Sequence, residues 1–368
     1  MREGSSRISE RSATPWVVLV GGFLGAGKTT LMLAAADELA KGGLRSAVIL
    51  NDQGNALVDT QYAALHHLAN EEVTGGCFCC RISELLAKMD KLRAYAPNVI
   101  FAEPVGSCTD IAATVVRPLM EYLGTYRVAP LTVLVDPQRA EALLRDDADE
   151  HMAFLFRKQI EEADLICFSK SDVSPRVPNA GRGGIRQLSA KTGQGVAAWL
   201  NEVLSGEISA GKKSLAIDYA QYAQAEAALA WLNLQVRVEP EVPVAPGLVL
   251  GPLLDALDRE LTDARISIVH LKAIVNSESG FVKAALCANG ADPMVEGMLD
   301  GSPARNHELL LNLRCVGEAN QVRQIVENCL LKSRYKLTNL QINCFHPAPP
   351  CPERRLDEFG RSILTFST

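Results

Sequence analysis

The residues best placed to do chemistry follow the chain's first apolar run, Trp16 to Val20. Gly22-Phe-Leu-Gly25-Ala26-Gly27-Lys28-Thr29 fits the G-x-x-x-x-G-K-[ST] phosphate-binding loop without a gap. Glycines at these positions let backbone N–H groups curl around a phosphate, while the following helix points its positive end at the same anion. Lys28 is expected to reach the β and γ phosphates of a nucleotide and Thr29 to supply a hydroxyl to Mg2+, with Thr30 also in contact with the nucleotide. A second signal is Gly75-Gly76-Cys77-Phe78-Cys79-Cys80. Clustered thiols in a reducing compartment are soft ligands, so Cys77, Cys79 and Cys80 suit a divalent transition metal, zinc or cobalt above all. Their place ahead of a helix N-terminus predicts lowered thiol pKa values. The bland reading is a tight turn using cysteine as a compact hydrophobe.

Three further segments complete a nucleotide site. Glu103 stands at the tip of the apolar run Asn98 to Ala102, where a Walker B carboxylate orders magnesium or the attacking water. Gly106 follows and can offer its N–H to a γ-phosphate, then release it after hydrolysis. Asp52 follows the apolar run Ala47 to Leu50, and Asp59 lies in the same segment. The carboxyl ends of parallel strands are where ligands sit, so Asp52 reads as a magnesium-side or water-orienting carboxylate; Asn51-Asp-Gln-Gly-Asn55 is equally good turn chemistry. Finally, Ser169-Lys170-Ser171-Asp172 ends another apolar run. The Asp172 carboxylate can accept from N1–H and the 2-amino group of guanine, neither of which adenine offers. Lys170 would cover the base and the backbone of Ser189, Ala190 and Lys191 would touch O6, so GTP is favoured over ATP.

Other titratable residues read less sharply. Asp136, before Pro137, is a cap or turn residue. His66 and His67 sit on an expected helix from Tyr62 to Asn70, where adjacent side chains diverge and cannot easily share one metal. Cys344, His346 and Cys351 suggest either a second metal site or relay, or a proline-rich exit from the last strand.

The elements that must position these residues alternate in the β-α manner of a parallel sheet flanked by helices. Strands are expected at Trp16 to Val20, Ala47 to Leu50, Asn98 to Ala102, Leu131 to Val135 and Leu165 to Phe168, with helices carrying Leu31 to Leu39, Ile82 to Leu92 and Met152 to Ile160. At 368 residues the chain exceeds the usual size of one core, which predicts two domains. The expected division is a polar, disordered N-terminal tail at 1–14, a P-loop GTPase domain at 15–206, a linker at 207–227, a smaller α+β domain at 228–352, and a tail at 353–368. The second domain reads as β-α-β-β-β-α-β, a ferredoxin-like order with one added strand. A net charge of −6 provides no basic field for nucleic acid. The apolar stretch near the N-terminus is too short to span a bilayer, and no secretory pattern precedes it, which predicts a cytoplasmic protein.

Taken together, Gly21 to Thr30, Gly76 to Cys80, Glu103 to Gly106 and Ser169 to Asp172 resemble the CobW-type GTPases, relatives of the urease and hydrogenase nickel-insertion GTPases. The resemblance covers the first half of the chain by motif and the second only by element order. It implies a GTP-hydrolysing metallochaperone that binds its metal at Cys77, Cys79 and Cys80 and delivers it to a client metalloenzyme or corrinoid protein. The alternative it allows is a GTP-dependent binding switch that activates such an enzyme without carrying metal. It also implies a first switch around Asp52 and Asp59 and nucleotide-dependent homodimerisation. Three features depart from the family pattern: Asp52 replaces a common Glu, Ser169 replaces a common Asn, and no long histidine tract follows.

Overall fold

The computed structural model describes residues 14–54, 58–66, 68–122, 124–174 and 186–363. The first thirteen residues, His67 and the last five residues of the expected tail lie outside these. The first domain runs β1 (Trp16–Gly22), α1 (Lys28–Lys41), β2 (Ser46–Asn51), α2 (Val58–Leu65), β3 (Ala69–Val73), α3 (Ile82–Leu92), β4 (Val99–Glu103) and α4 (Arg117–Met120). It continues through β5 (Arg127–Val128), β6 (Thr132–Val135), α5 (Pro137–Leu143), α6 (Glu150–Glu162), β7 (Leu165–Phe168), β8 (Arg186–Gln187) and α7 (Val196–Val203). Its strands pair in parallel in the order β3-β2-β4-β1-β6-β7-β8, with β5 beside β1. Near-continuous apolar strands such as Val17 to Val20 and Val99 to Ala102 are buried on both faces, as a helix-flanked parallel sheet requires. The helix expected over Tyr62 to Asn70 is different. α2 stops at Leu65 and the chain pairs with β2 from Ala69, so edge pairing takes the end of the expected helix. His66 is exposed and stacks edge-on against Tyr62 at 4.8 Å.

α8 (Tyr219–Ala227) occupies the stretch expected as a linker and packs on α6. The second domain follows as β9 (Leu229–Glu239), α9 (Pro246–Asp263), β10 (Ser267–Ser277), β11 (Gly280–Leu286), β12 (Met294–Gly297), β13 (His307–Val316), α10 (Ala319–Leu331) and β14 (Lys336–Phe345). Its sheet is antiparallel in the order β12-β11-β10-β13-β9-β14, so the added element is a pair of strands, β11 and β12, rather than one. The period-2 alternation gives this sheet two unlike faces. Leu232, Leu234, Leu271, Ala273, Leu311 and Leu313 join Leu254, Leu257 and Val326 of α9 and α10 in an apolar core. Trp231, Asn233, His270, Lys283, Asn312 and Arg314 occupy the opposite face and are also buried, because that face lies against the first domain.

After β14 the chain returns to the first domain. Glu353 accepts from the backbone N of Ser83 (3.0 Å) and from its hydroxyl (2.6 Å), supplying α3 with the N-terminal cap that Arg81 does not provide. Arg354 forms a bidentate pair with Glu121, and Leu356 is buried.

The loop leaving β4 is held from behind by α6 and α8. Gln159 Nε2 donates to the carbonyls of Gly106 (3.0 Å) and Cys108 (2.9 Å). Glu162 accepts from Thr109 Oγ1 at 3.0 Å and from Ala112 N at 2.9 Å, and Tyr222 OH accepts from Thr109 N at 3.0 Å. Burial pushes the Glu162 carboxyl up to about 8. A raised carboxyl pKa gives stability that is complete below the unfolded value and lost as pH rises through the folded one. The melting temperature is therefore expected to fall between pH 5 and 8.5, and Glu162→Gln, whose amide can keep both bonds, to flatten that fall in a calorimetric pH series. An unchanged slope in the variant would show that Glu162 ionises in place without cost.

Candidate functional site

Parallel β1, β2, β4 and β7 end on one edge, and their exit loops enclose a cavity of about 440 Å3. Gly27 caps α1 at φ 92°, a conformation that a side chain would strain, and Lys28 and Thr29 follow on the first turn. Thr29 Oγ1 donates to Glu103 Oε2 at 2.7 Å, while Lys28 Nζ lies 3.6 Å from Glu103 Oε1 and donates to the Gly22 carbonyl at 3.0 Å. Gly25, Ala26, Gly27, Lys28, Thr29, Thr30, Glu103 and Gly106 all line the cavity. Gly22 does not. It ends β1, and a Cβ there would stand 2.4 Å from the Leu134 carbonyl oxygen. At Gly106 a Cβ would come within 2.9 Å of Lys28 Nζ and 3.2 Å of Leu24 Cα, so a side chain there would crowd the lysine.

The far end of the cavity is lined by Ser169, Lys170, Asp172, Ala190 and Lys191, with Val173 and Leu188 as apolar walls. Asp136 caps α5 through Gln138 N at 3.0 Å and holds Lys170 Nζ at 2.6 Å, which fixes the lysine over the pocket. Ser189 departs from its expected place. It is fully buried, its N–H bonds the Gln194 carbonyl at 2.9 Å and its hydroxyl accepts from Thr192 N at 3.2 Å, so it shapes the turn and leaves the cavity to its two successors.

The second domain supplies the cavity wall that motif reading missed. His270, Lys272, Lys283, Asn312 and Arg314 all line it. Asp52 also lines it, but both its carboxylate oxygens accept from Arg314 Nη2 at 2.9 Å. Asp59 pairs with Lys272 Nζ, and Asn276 Nδ2 donates to Gln61 at 2.7 Å. The carboxylates expected to belong to a first switch are thus clasped by the second sheet. Burial alone would raise the Asp59 carboxyl, yet Lys272 and Lys283 hold it below the ordinary value. Burial and then the cations Lys272, Lys28, Arg139 and Lys170 hold the His270 imidazole well below its usual range. A neutral histidine among four cations marks a field suited to a polyanion.

The cysteine turn lies on the other side of Asn51. Asn51 Nδ2 donates to the carbonyls of Val73 (3.0 Å) and Gly76 (2.7 Å), and its Oδ1 accepts from Phe78 N (2.8 Å). The sulfurs of Cys77, Cys79 and Cys80 lie within 4.8 Å of one another, with Cys77 to Cys80 at 3.3 Å and Cys79 to Cys80 at 3.7 Å. Sulfurs about 2.3 Å from a tetrahedral zinc stand roughly 3.8 Å apart, so the donor set fits such an ion. The expected thiolate bias is reversed in the metal-free chain. Hydrogen bonding with Cys77 together with burial pushes Cys80 up to about 12, and hydrogen bonds with Cys108 and burial hold Cys79 up as well. The turn is a short 3-10 segment packed in the core, and crowding outweighs the helix end. Cys108, absent from the motif reading, is buried here in the same core as Cys77 and Cys79.

Cys344, His346 and Cys351 do not form a second site. Cys344 Sγ donates to the Ala319 carbonyl and His346 Nε2 accepts from Ala319 N at 3.2 Å, capping α10, whereas Cys351 lies by Cys80. Among the described residues, no helix is long and apolar enough to cross a membrane.

A glycine-rich loop between strand and helix, a carboxylate on the neighbouring strand bonded to its threonine, and a cavity on that edge define a P-loop nucleotide-binding domain. More narrowly, residues 16–192 match the model of the CobW/HypB/UreG nucleotide-binding domain. The zinc chaperone YjiA of Escherichia coli is 30% identical over 167 residues, 43% of this chain and 50% of that protein. The zinc chaperone CobW of Pseudomonas aeruginosa is 29% identical over 187 residues, 42% of this chain and 48% of that protein. The chain thus spans about half the length of the curated relatives it matches. The crystal structure of Zn(II)-bound YjiA GTPase is a distant likeness, 15% identical at a TM-score of 0.31, covering 86% of this chain and 99% of that one.

Arg314 also stacks on Trp231 at 4.0 Å and donates to the Leu232 carbonyl at 3.0 Å. Arg314→Ala should therefore lower unfolding free energy by about 3 kcal/mol, the cost of removing one partner from a largely buried pair. Arg314→Lys, which keeps charge but loses the planar fork, should recover only part of it. Urea unfolding read by tryptophan fluorescence checks both, and equal midpoints for wild type and Arg314→Ala would remove the clasp from the stability argument.

Proposed function

We propose that this protein hydrolyses GTP and uses the nucleotide state to bind and release a divalent transition metal for a client enzyme. The observation that carries this reading is the convergence of three sulfurs within 4.8 Å of one another in a turn tied through Asn51 to the cavity lined by the Gly25 to Thr30 loop. Lys28 and the loop N–H groups hold the phosphates. Thr29 and Glu103 hold Mg2+, which supplies charge neutralisation at the β and γ oxygens when bound. Gly106, next to Lys28 Nζ, reads the γ-phosphate. Asp172 selects guanine by accepting two hydrogen bonds that adenine cannot donate, with Lys170 over the base and Ala190 and Lys191 along its edge.

The metal is cargo, held by Cys77, Cys79 and Cys80, and zinc or cobalt suits an all-sulfur set. Asp52, released from Arg314, would be free to serve the attacking water or the magnesium shell from the cavity wall. Client delivery and nucleotide-dependent pairing of two chains belong to this reading as its consequences, because the second domain contacts the switch segment and its position would follow the nucleotide. Relatives described as zinc chaperones support the choice of cargo class.

Reduced protein is expected to bind about one zinc or cobalt per chain more tightly with Mg2+ and GTP than with GDP, as a thiolate site would. Equilibrium dialysis with each nucleotide measures this. A triple alanine variant at Cys77, Cys79 and Cys80 that retains wild-type affinity would place the metal elsewhere. Separately, Asp172→Asn should weaken GTP binding by at least about tenfold, 1.4 kcal/mol, while leaving ATP binding as it was. Calorimetric titration with both nucleotides tests it; parallel losses for GTP and ATP would exclude Asp172 as the base reader.

A further inference from the structure

The second sheet reaches the phosphate loop directly. A Cβ on Gly25 would stand 2.5 Å from Cys287 Sγ and 3.6 Å from His270 Cδ2, so the loop backbone lies against β10 and the residue that follows β11. Arg139 locks this contact from the first domain, its Nη2 donating to the Val269 carbonyl at 2.6 Å and to the Cys287 carbonyl. On the other flank, Val58 N donates to Asn312 Oδ1 at 2.9 Å, and the Val58 side chain packs with Ile274 and Leu310. Residues two apart along a strand share a face at a spacing of about 7 Å. Lys272 therefore stands between His270 at the phosphate loop and Ile274 at the segment after β2.

Among the cations on this face, Lys272 is the best placed to take a phosphate. Arg314 is committed to Asp52, Asn233 and the Leu232 carbonyl. Lys283 Nζ lies over the Tyr62 ring at 3.5 Å, with Glu296 3.8 Å away. Lys272 lines the same cavity as Lys28, Thr29 and Glu103, and stands in register with the small Ala285, which lines it too. Its carboxylate partner, Asp59, sits in the first turn of α2 and also lines the cavity. Burial lowers the pKa of the Lys28 ammonium and the Lys272 charge adds to that effect, with Glu103 opposing both. An anion arriving between the two lysines relieves their repulsion.

We propose that Lys272 of the second domain is a second phosphate-binding cation of the nucleotide site, taking the terminal phosphate of a nucleoside triphosphate opposite Lys28. This deepens the GTP reading of the cavity and rests on it. In P-loop switches the segment that meets the γ-phosphate changes its contacts with the nucleotide state, and Asp59 belongs to the segment expected to do so here. Asp59 thus holds the ammonium in place while the cavity has no triphosphate. The more highly charged terminal phosphate then displaces the carboxylate, and the second domain supplies in the same chain a charge that stabilises the transferring phosphoryl group.

Calorimetric titration of the full chain with Mg2+ and either GDP or a non-hydrolysable GTP analogue tests the assignment. Lys272→Met should weaken the analogue at least about tenfold and GDP less than about twofold, because the lost bond is to the terminal phosphate. Lys272→Arg, which keeps a cation, should retain most of the preference for the triphosphate. Asp59→Asn should act in the opposite direction and tighten the analogue, because a competing carboxylate is gone. Lys272→Met with wild-type affinity for the analogue, or equal losses from Lys272→Met and Asp59→Asn, would overturn the proposal and leave the pair a structural clasp. Since Lys272→Met strands Asp59, the double variant Asp59→Asn/Lys272→Met removes both charges together. It should unfold near the wild-type urea midpoint and still lack the triphosphate preference; recovery of that preference would also overturn the proposal. If the wild-type protein binds neither GDP nor the analogue, it is the GTP reading itself that fails.

Discussion

The hydrogen bond from Thr29 to Glu103 joins the first turn of α1 to the tip of β4, and much of the site takes its position from that junction. Both residues are largely buried, so neither can be left without a partner cheaply. With Lys28 beside them, the pair fixes where β4 ends and hence where its exit loop begins. That loop carries Gly106 to Lys28 and Cys108 into the core that holds Cys77 and Cys79, all within six residues of Glu103. Its remaining polar groups are satisfied from behind by Gln159, Glu162 and Tyr222, which makes the loop an ordered part of the core.

A second constraint comes from the other domain. Its sheet buries one face under two helices, as antiparallel sheets commonly do, and the opposite face would ordinarily be solvated. Here that face meets the segment after β2, and its charges must find partners as they leave water. Arg314 takes Asp52 and Lys272 takes Asp59, so the cost of burial is offset only while the two domains stay in register. A polyphosphate entering the cavity would compete for the same cations. The clasp is consequently a natural place for nucleotide binding to be felt by the second domain.

The C-terminal segment adds a covering element to this arrangement. Glu353 caps α3, its N–H bonds the Cys79 carbonyl at 3.0 Å, and Cys351 reaches Cys80. A stretch with no motif of its own thereby becomes part of the wall around the thiols. Cys344 and His346, which looked more suggestive, instead close the N-terminal end of α10, where unpaired backbone N–H groups require an acceptor.

The sequence by itself determined the phosphate loop, Glu103 and Gly106, the cysteine triplet and the order of β and α elements. These are local: glycine conformations, apolar runs and short spacings are written within a few residues of one another, and a parallel sheet then brings strand ends to one edge whatever lies between them. It did not determine the edge strand at Ala69 to Val73, whose polar residues gain strand structure only by pairing with β2. Nor could it place His270, Lys272, Lys283 and Arg314, because alternating charges along a strand read as a solvent face until a second domain covers them. Cys108 is the plainest case. A lone cysteine beyond an acidic strand has no pattern to announce it, and only the turn at Val105, held by an amide 51 residues away, sets it in the core that holds Cys77 and Cys79.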